Sequence, residues 1–384
     1  MPATWNNLGR NVASALVLLL GSCLPDPRPY DLCTDDTAYY AVPPVGCNGH
    51  KLAVLDSVAL PLDRSAADLF DIEGNRITTD NDFVYWVGPS SEILQTPKRG
   101  GKSVRLLEPL DGVNALELQT DDSTLYVLAT WLPSNANTGK ASLFAIDKTT
   151  KESLIVATFP TYSAPSLQIR GDKFYINPLT STVQCLLEGS TDPTQTTANG
   201  IRCVTTYSPK AFAVTDTGVV YLAQTSGAQS LLGKASLYFE SSVNDAPNPI
   251  GEAAATVQDF IVSGNYAYWV ECGPPDTDPN GITTCSRYRS SLDGTQEEII
   301  PNLGSAYSVV GDADRLYAIS ALKLGASGTR LYGWDAVGLS PVPLAASLEG
   351  AQLMTLDAQF VYTIYYDYYT QDSGTVVKLL RIKR

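Results

Sequence analysis

The stretch Asp80-Asn81-Asp82-Phe83-Val84-Tyr85-Trp86-Val87 sets a turn of Asp and Asn before a short apolar run centred on a tyrosine. The same arrangement returns near the end of the chain as Asp357-Ala358-Gln359-Phe360-Val361-Tyr362-Thr363. Between these copies the tyrosine recurs at Tyr126, Tyr175, Tyr221, Tyr268 and Tyr317, with steps of 41, 49, 46, 47, 49 and 45 residues across the seven. Runs rich in β-branched and aromatic residues read as strands. The Asp, Asn and Gly residues before them tolerate the backbone angles of tight hairpins.

Working outward from each tyrosine, another apolar stretch lies before the turn, as in Leu116-Glu117-Leu118 and Phe260-Ile261-Val262. A longer polar segment follows, then a third strand such as Ser142–Ile146, Ser236–Phe239 or Arg330–Trp334. A fourth follows in Ser153–Ala157, Arg202–Thr205 and Glu298–Ile300. Four antiparallel strands in about 45 residues make one propeller blade. The expected fold is all-β, a seven-bladed β-propeller. The last repeat ends with Thr375–Ile382 and has no fourth strand after it, while Lys51–Leu60 is a spare strand before the first repeat. That spare strand is expected to complete the seventh blade and close the ring, leaving no large unpaired edge. The organisation expected is a signal segment over 1–22, a Pro-rich tether over 23–50 and a propeller over 51–384.

Val84-Tyr85-Trp86-Val87, Tyr268-Trp269-Val270 and the turn Ser291-Leu292-Asp293-Gly294 resemble bacterial propellers of the broad TolB and YWTD-like group, especially repeat-bearing surface lipoproteins. The resemblance spans Lys51 to the C-terminus and implies the fold more than an activity.

The N-terminal apolar run from Val12 to Leu20 is the length of a signal-peptide core, not of a membrane span. Leu20-Gly21-Ser22-Cys23 resembles a bacterial lipobox, with Cys23 as the residue acylated after cleavage. Leu24 stands where an Asp would signal inner-membrane retention in many Gram-negative bacteria, so the expected location is the outer membrane. The membrane partner is reached through the lipid. Stable anchoring takes two or more acyl chains at about 0.8 kcal/mol per buried methylene.

Six cysteines remain in three close pairs, Cys33 with Cys47, Cys185 with Cys203, and Cys272 with Cys285. Local pairing is the simplest of the possible connectivities. There is no C-x-x-C, and His50 is the single histidine, which speaks against zinc.

The formal net charge is −14 and the basic residues form no stripe, so nucleic acid is not an expected partner. No catalytic residue is assigned. With one histidine a Ser-His-Asp triad is not expected. The carboxylate pairs Asp80 with Asp82, Asp121 with Asp122, and Asp312 with Asp314 fall in hairpin turns, which explains them structurally.

Asp276-Thr277-Asp278-Pro279-Asn280-Gly281 matches the first half of a calcium loop, with Asp276, Asp278 and Asn280 as ligands. Arg287 occupies the twelfth position, where the pattern wants Glu. The segment reads either as a Pro-Asn-Gly turn or as a structural calcium site; no other cofactor is expected. The loops after the tyrosine strands carry aromatics, Trp131 and Tyr365, Tyr366, Tyr368 and Tyr369, which form a candidate binding face. The functional reading is a non-enzymatic envelope module binding protein, peptide or glycan. The alternatives are a carbohydrate-active lyase or glycosidase and a scaffold subunit of an envelope assembly complex.

Overall fold

The computed structural model describes residues 52–59 and 76–384, apart from segments of which the longest are 132–138, 178–184, 195–200, 224–233, 273–284, 321–329, 336–341 and 368–375. The strand β1 (Leu52–Ala59) comes first. Blade 1 is β2 (Ile77–Thr79), β3 (Phe83–Val87), β4 (Ile93–Pro97) and β5 (Val104–Leu107). Blade 2 is β6 (Ala115–Thr120), β7 (Thr124–Trp131), β8 (Gly139–Asp147) and β9 (Ser153–Thr161). Blade 3 is β10 (Ser166–Arg170), β11 (Lys173–Asn177), β12 (Leu187–Ser190) and β13 (Arg202–Cys203). Blade 4 is β14 (Pro209–Val214), β15 (Val219–Ala223), β16 (Lys234–Glu240) and β17 (Asn248–Ala254). Blade 5 is β18 (Val257–Ser263), β19 (Tyr266–Cys272), β20 (Cys285–Ser291) and β21 (Glu297–Ile300). Blade 6 is β22 (Ala306–Gly311), β23 (Arg315–Ser320), β24 (Arg330–Asp335) and β25 (Val342–Ala345). Blade 7 is β26 (Ala351–Leu356), β27 (Phe360–Asp367) and β28 (Val376–Lys383), completed by β1.

Each blade is a four-stranded antiparallel sheet in chain order. The first strands form the inner ring, each beside the first strands of the adjoining blades, and β26 meets β2 to close it. The described residues contain no helix, and so none long and apolar enough to cross a membrane. Closure follows the expected route. β1 pairs with β28 from Leu52 opposite Ile382 to Ala59 opposite Val376, with one register shift between Val54 and Asp56.

The core is not one central mass but a set of layers between blades. Blades 7 and 1 share Leu55, Ile364, Tyr366 and Leu379 with Ile77, Val84 and Trp86. Blades 1 and 2 share Tyr85, Val87 and Ile93 with Leu116, Leu118 and Val127. A second strand is therefore covered on both faces, and its residues are buried consecutively, without alternation. β7 buries every residue from Leu125 to Thr130, and β15 buries all five of its residues.

All seven repeat tyrosines are buried. Six share one phase: Tyr85, Tyr126, Tyr175, Tyr268, Tyr317 and Tyr362 each stand two residues past the pair that closes the first hairpin. Tyr221 does not. Its hairpin closes at Thr215 and Gly218, so the tyrosine stands three residues past closure and Val220 takes the in-phase place. A shift of one residue turns a strand side chain to the opposite face. Val220 accordingly packs toward blade 5, while Tyr221 packs toward blade 3 beside Tyr175 and Tyr238.

Blade 3 departs from expectation at its outer edge. Its fourth strand is only Arg202–Cys203, not Arg202–Thr205, and Cys185 lies two residues before β12. The expected Cys185–Cys203 disulfide is present, with the Cα atoms 5.6 Å apart. Thr205 ends the ladder by accepting the Leu186 N–H on its hydroxyl at 2.8 Å, with its own hydroxyl proton given to Tyr207 O.

Candidate functional site

The strand order gives the ring two unlike rims. The turns from first to second strand span two to four residues and lie on one rim, shared with the third-to-fourth turns. On the other rim the second strands end, at Val87, Trp131, Asn177, Ala223, Cys272, Ser320 and Asp367, and the third strands begin; 88–92 is the one second-to-third connection described throughout. The first is called here the turn rim and the second the loop rim.

On the turn rim, the acids are consumed by the fold. Asp80 Oδ1 accepts the backbone N–H groups of Asp82 and Phe83, both at 2.9 Å, and Oδ2 accepts the Tyr85 hydroxyl at 2.7 Å. Asp357 repeats this with Gln359, Phe360 and the Tyr362 hydroxyl at 2.8 Å. Asp121 does so with Ser123, Thr124 and the Tyr126 hydroxyl at 3.0 Å. These are Asx turns that also satisfy a buried phenol, which needs a partner when withdrawn from water.

A cation from the next blade then completes the group. Lys148, in the third-to-fourth turn of blade 2, donates to Asp80 Oδ2 at 2.7 Å and lies over the Tyr85 ring, 5.2 Å from its centroid. Lys98 of blade 1 does the same to Asp357 and Tyr362 of blade 7. Arg384, just past β28, pairs with Asp312 of blade 6, donates to the Tyr317 hydroxyl at 2.7 Å and lies over that ring. The three junctions so locked are 6–7, 7–1 and 1–2, the two flanking the composite blade and the next one along.

Burial alone would favour the neutral acid at Asp80. Hydrogen bonds from Lys148, Tyr85 and the Phe83 and Asp82 backbone outweigh it and hold the carboxyl below its usual range. At Asp357 burial is likewise outweighed, by Lys98, the Gln359 and Phe360 backbone and Tyr362. The tyrosines move the other way. Burial, then the adjacent acids, raise Tyr85 and Tyr362, and burial followed by Glu188 pushes Tyr175 up to about 12. Out-of-phase Tyr221 donates to Glu240 at 2.7 Å instead, and Glu240 also accepts from the Thr206 N–H and hydroxyl. Asp216 is left to pair with Arg170.

The loop rim is built differently. In blade 1 the connection is a short self-contained turn. Gly88 N–H donates to Glu92 O at 2.8 Å, and Glu92 folds its carboxylate back to accept from Ser90 N–H at 2.7 Å. A Cβ on Gly88 would stand 2.6 Å from the Glu92 carboxyl, so any larger residue there would push the Glu92 side chain out of its turn. Beside this turn Arg76, just before β2, is buried; burial lowers it to about 10, and nearby Tyr366 opposes the shift. Sequence reading missed Arg76, because a single arginine between repeats carries no pattern.

Of the proposed aromatic face, Trp131 is half-buried at the end of β7, with Lys140 over its ring at 5.9 Å and Phe144 at 6.4 Å. Tyr365 is half-buried against the blade 6–7 layer. Tyr366 corrects the expectation. It is 4% exposed in the blade 7–1 layer, because β27 continues through Asp367 and a second strand has no solvent face. Tyr368 and Tyr369 lie outside the described residues, as do Asp276, Asp278 and Asn280, the lipobox Cys23, and Cys33, Cys47 and His50. Among the described residues no three His, Cys, Asp or Glu side chains converge on a metal position.

Fold and rims together define a seven-bladed β-propeller. No protein-family model and no curated protein matches the chain. Solved propellers do. A prolyl endopeptidase is 14% identical, with a TM-score of 0.50 over 79% of this chain and 46% of its own. YCF48, solved bound to D1 peptide, is 9% identical, with a TM-score of 0.49 over 84% and 95%. TolB from Acinetobacter baumannii is 9% identical, with a TM-score of 0.43 over 81% and 64%. This chain spans 31–46% of the matched tricorn protease, prolyl endopeptidase and acylaminoacyl peptidase chains. Identities this low speak to the fold alone.

Proposed function

We propose that this chain is a lipid-anchored propeller of the bacterial envelope, held at the outer membrane through Cys23, that binds a protein, peptide or glycan at its loop rim without chemically converting it. The observation that carries the reading is the division of labour between the rims. On the turn rim, Asp80, Asp121 and Asp357 have their oxygens occupied by turn N–H groups and tyrosine hydroxyls, with lysines added at two of them. These groups hold the ring together. The second strands end and the third strands begin at the opposite rim, and the connections between them range from 5 to 12 residues in length from blade to blade. Rigid scaffolds commonly carry their recognition residues on such connections.

The test is a panel of envelope polysaccharides and peptides offered to purified residues 51–384. The reading expects saturable retention with no new reducing ends, unsaturated sugars or cleaved peptides. Product formation that disappears when a loop-rim carboxylate is replaced would make the protein a carbohydrate-active enzyme or peptidase instead.

A further inference from the structure

Both cysteine pairs of the described blades sit at the loop rim, each at the root of a second-to-third connection. Cys185 lies in the connection leading into β12 and is bonded to Cys203, whose register partner is Leu187. Cys272 is the last residue of β19 and Cys285 the first of β20, so the two bracket the connection 273–284. The β19–β20 ladder runs from Tyr266 opposite Ser291 to Cys272 opposite Cys285 through seven consecutive pairs, with no bulge.

An unbroken antiparallel ladder sets directly opposed Cα atoms about 4.5–5.5 Å apart. Directly opposed residues also project from the same face of the sheet. A disulfide accepts Cα separations of about 4.4–6.8 Å, so the ladder register alone meets its main geometric condition. We propose that Cys272 and Cys285 form a second, cross-strand disulfide that staples the root of the 273–284 connection.

The bond forms when the two thiols give up two protons and two electrons to an oxidant disulfide, which becomes a dithiol. A thiol–disulfide oxidoreductase would serve in the cell, and oxidised glutathione serves in the test tube. The staple deepens the binding reading without resting on it. Two connections of the loop rim, in blades 3 and 5, would then leave the sheet from covalently fixed roots, which lowers the ordering cost of any contact made there.

The test uses the full chain equilibrated with oxidised glutathione, then unfolded in an alkylating agent without reductant. Endoproteinase Asp-N next cuts at Asp276 and Asp278, inside the bracketed segment. The proposal expects one linked species joining the Cys272 and Cys285 peptides, two hydrogens lighter than the free pair and separated by reductant. The Cys185–Cys203 linkage is the internal control. Alkylation of both Cys272 and Cys285 while the control stays linked would overturn the proposal, as would linkage of either to Cys33 or Cys47. Cys272→Ser should leave Cys285 alkylated or carrying a glutathione, and a Cys285 joined to another cysteine of the chain in that variant would also contradict it. None of these outcomes depends on whether the rim binds anything.

Discussion

Lys98 of blade 1 donates to Asp357 of blade 7 at 2.5 Å, across the junction where the two ends of the propeller meet. The pair is mostly buried, with side-chain exposures of 15% and 23%, and the same ammonium lies 5.4 Å from the centre of the Tyr362 ring. Ring closure therefore has two parts: the β1–β28 ladder within blade 7, and this bridge from blade 7 to its neighbour. Gly101 N–H donating to Leu55 O at 3.3 Å and Ser103 N–H donating to Asp56 at 3.0 Å extend the second part along β1.

Asp357→Ala should be the most damaging single change on the turn rim. It uncaps the 357–360 turn and strips partners from the Tyr362 hydroxyl and Lys98 at once. The expected loss is about 2–4 kcal/mol, against about 1–2 kcal/mol for Lys98→Met, which leaves the turn intact. Urea unfolding monitored by fluorescence checks the order. Equal losses in the two variants would mean that the carboxylate's turn contacts carry no energy.

The acid limb of stability should belong to Asp80 and Asp357. A carboxyl held below its unfolded value stabilises the fold above about pH 4, and that contribution disappears as pH falls through the folded value. Melting temperature should therefore drop below about pH 4, and the Asp80→Asn, Asp357→Asn double variant should show a shallower drop from a lower plateau. The tyrosines set the opposite limb. Raised phenol values give stability that is complete below about pH 10 and declines as pH climbs toward the folded values. Thermal scans from pH 2.5 to 11 measure both limbs, and an unchanged acid slope in the double variant would reassign it to other groups.

Removing residues up to Leu60 should open blade 7. The edge of β28 would then offer Val376–Lys383 as an unpaired template. The expected product is oligomeric or aggregated on size-exclusion chromatography, and a synthetic peptide of residues 51–60 should restore the monomer. A truncated chain that stays monomeric with its melting temperature unchanged would show that β1 is dispensable.

Cys23→Ala should abolish incorporation of labelled fatty acid and move the protein from the detergent phase to the aqueous phase. Persistent detergent partition in that variant would show that the chain is not anchored by a lipid on Cys23.

The tyrosine period, the turns before it and the spare Lys51–Leu60 strand make the ring legible in the sequence, because each blade repeats one local grammar. The phenol partners were half legible. Five tyrosines follow an Asp by five residues, at Asp80, Asp121, Asp216, Asp312 and Asp357. Three of those acids accept the phenol directly, Asp312 reaches its tyrosine through Arg384, and Asp216 fails because it holds the second position of its turn, not the first, which leaves Tyr221 one residue further past closure and on the opposite face. The cations could not be found this way. Lys148, Lys98 and Arg384 meet acids 68, 259 and 72 residues distant, in other blades, where only the closed ring supplies the contact. Tyr366 was misread for a related reason. A tyrosine run looks exposed by composition, yet neighbouring blades bury both faces of a second strand.

Site-specific photo-crosslinking of the full chain in cells distinguishes the two rims. A photoreactive residue would be placed at Ser90 or Lys140 near the loop rim, and at Asp122 or Thr217 on the turn rim. Discrete crosslinked adducts are expected from the loop-rim positions and none from the turn-rim positions. Adducts arising from Asp122 or Thr217, with Ser90 and Lys140 silent, would contradict the assignment of binding to the loop rim.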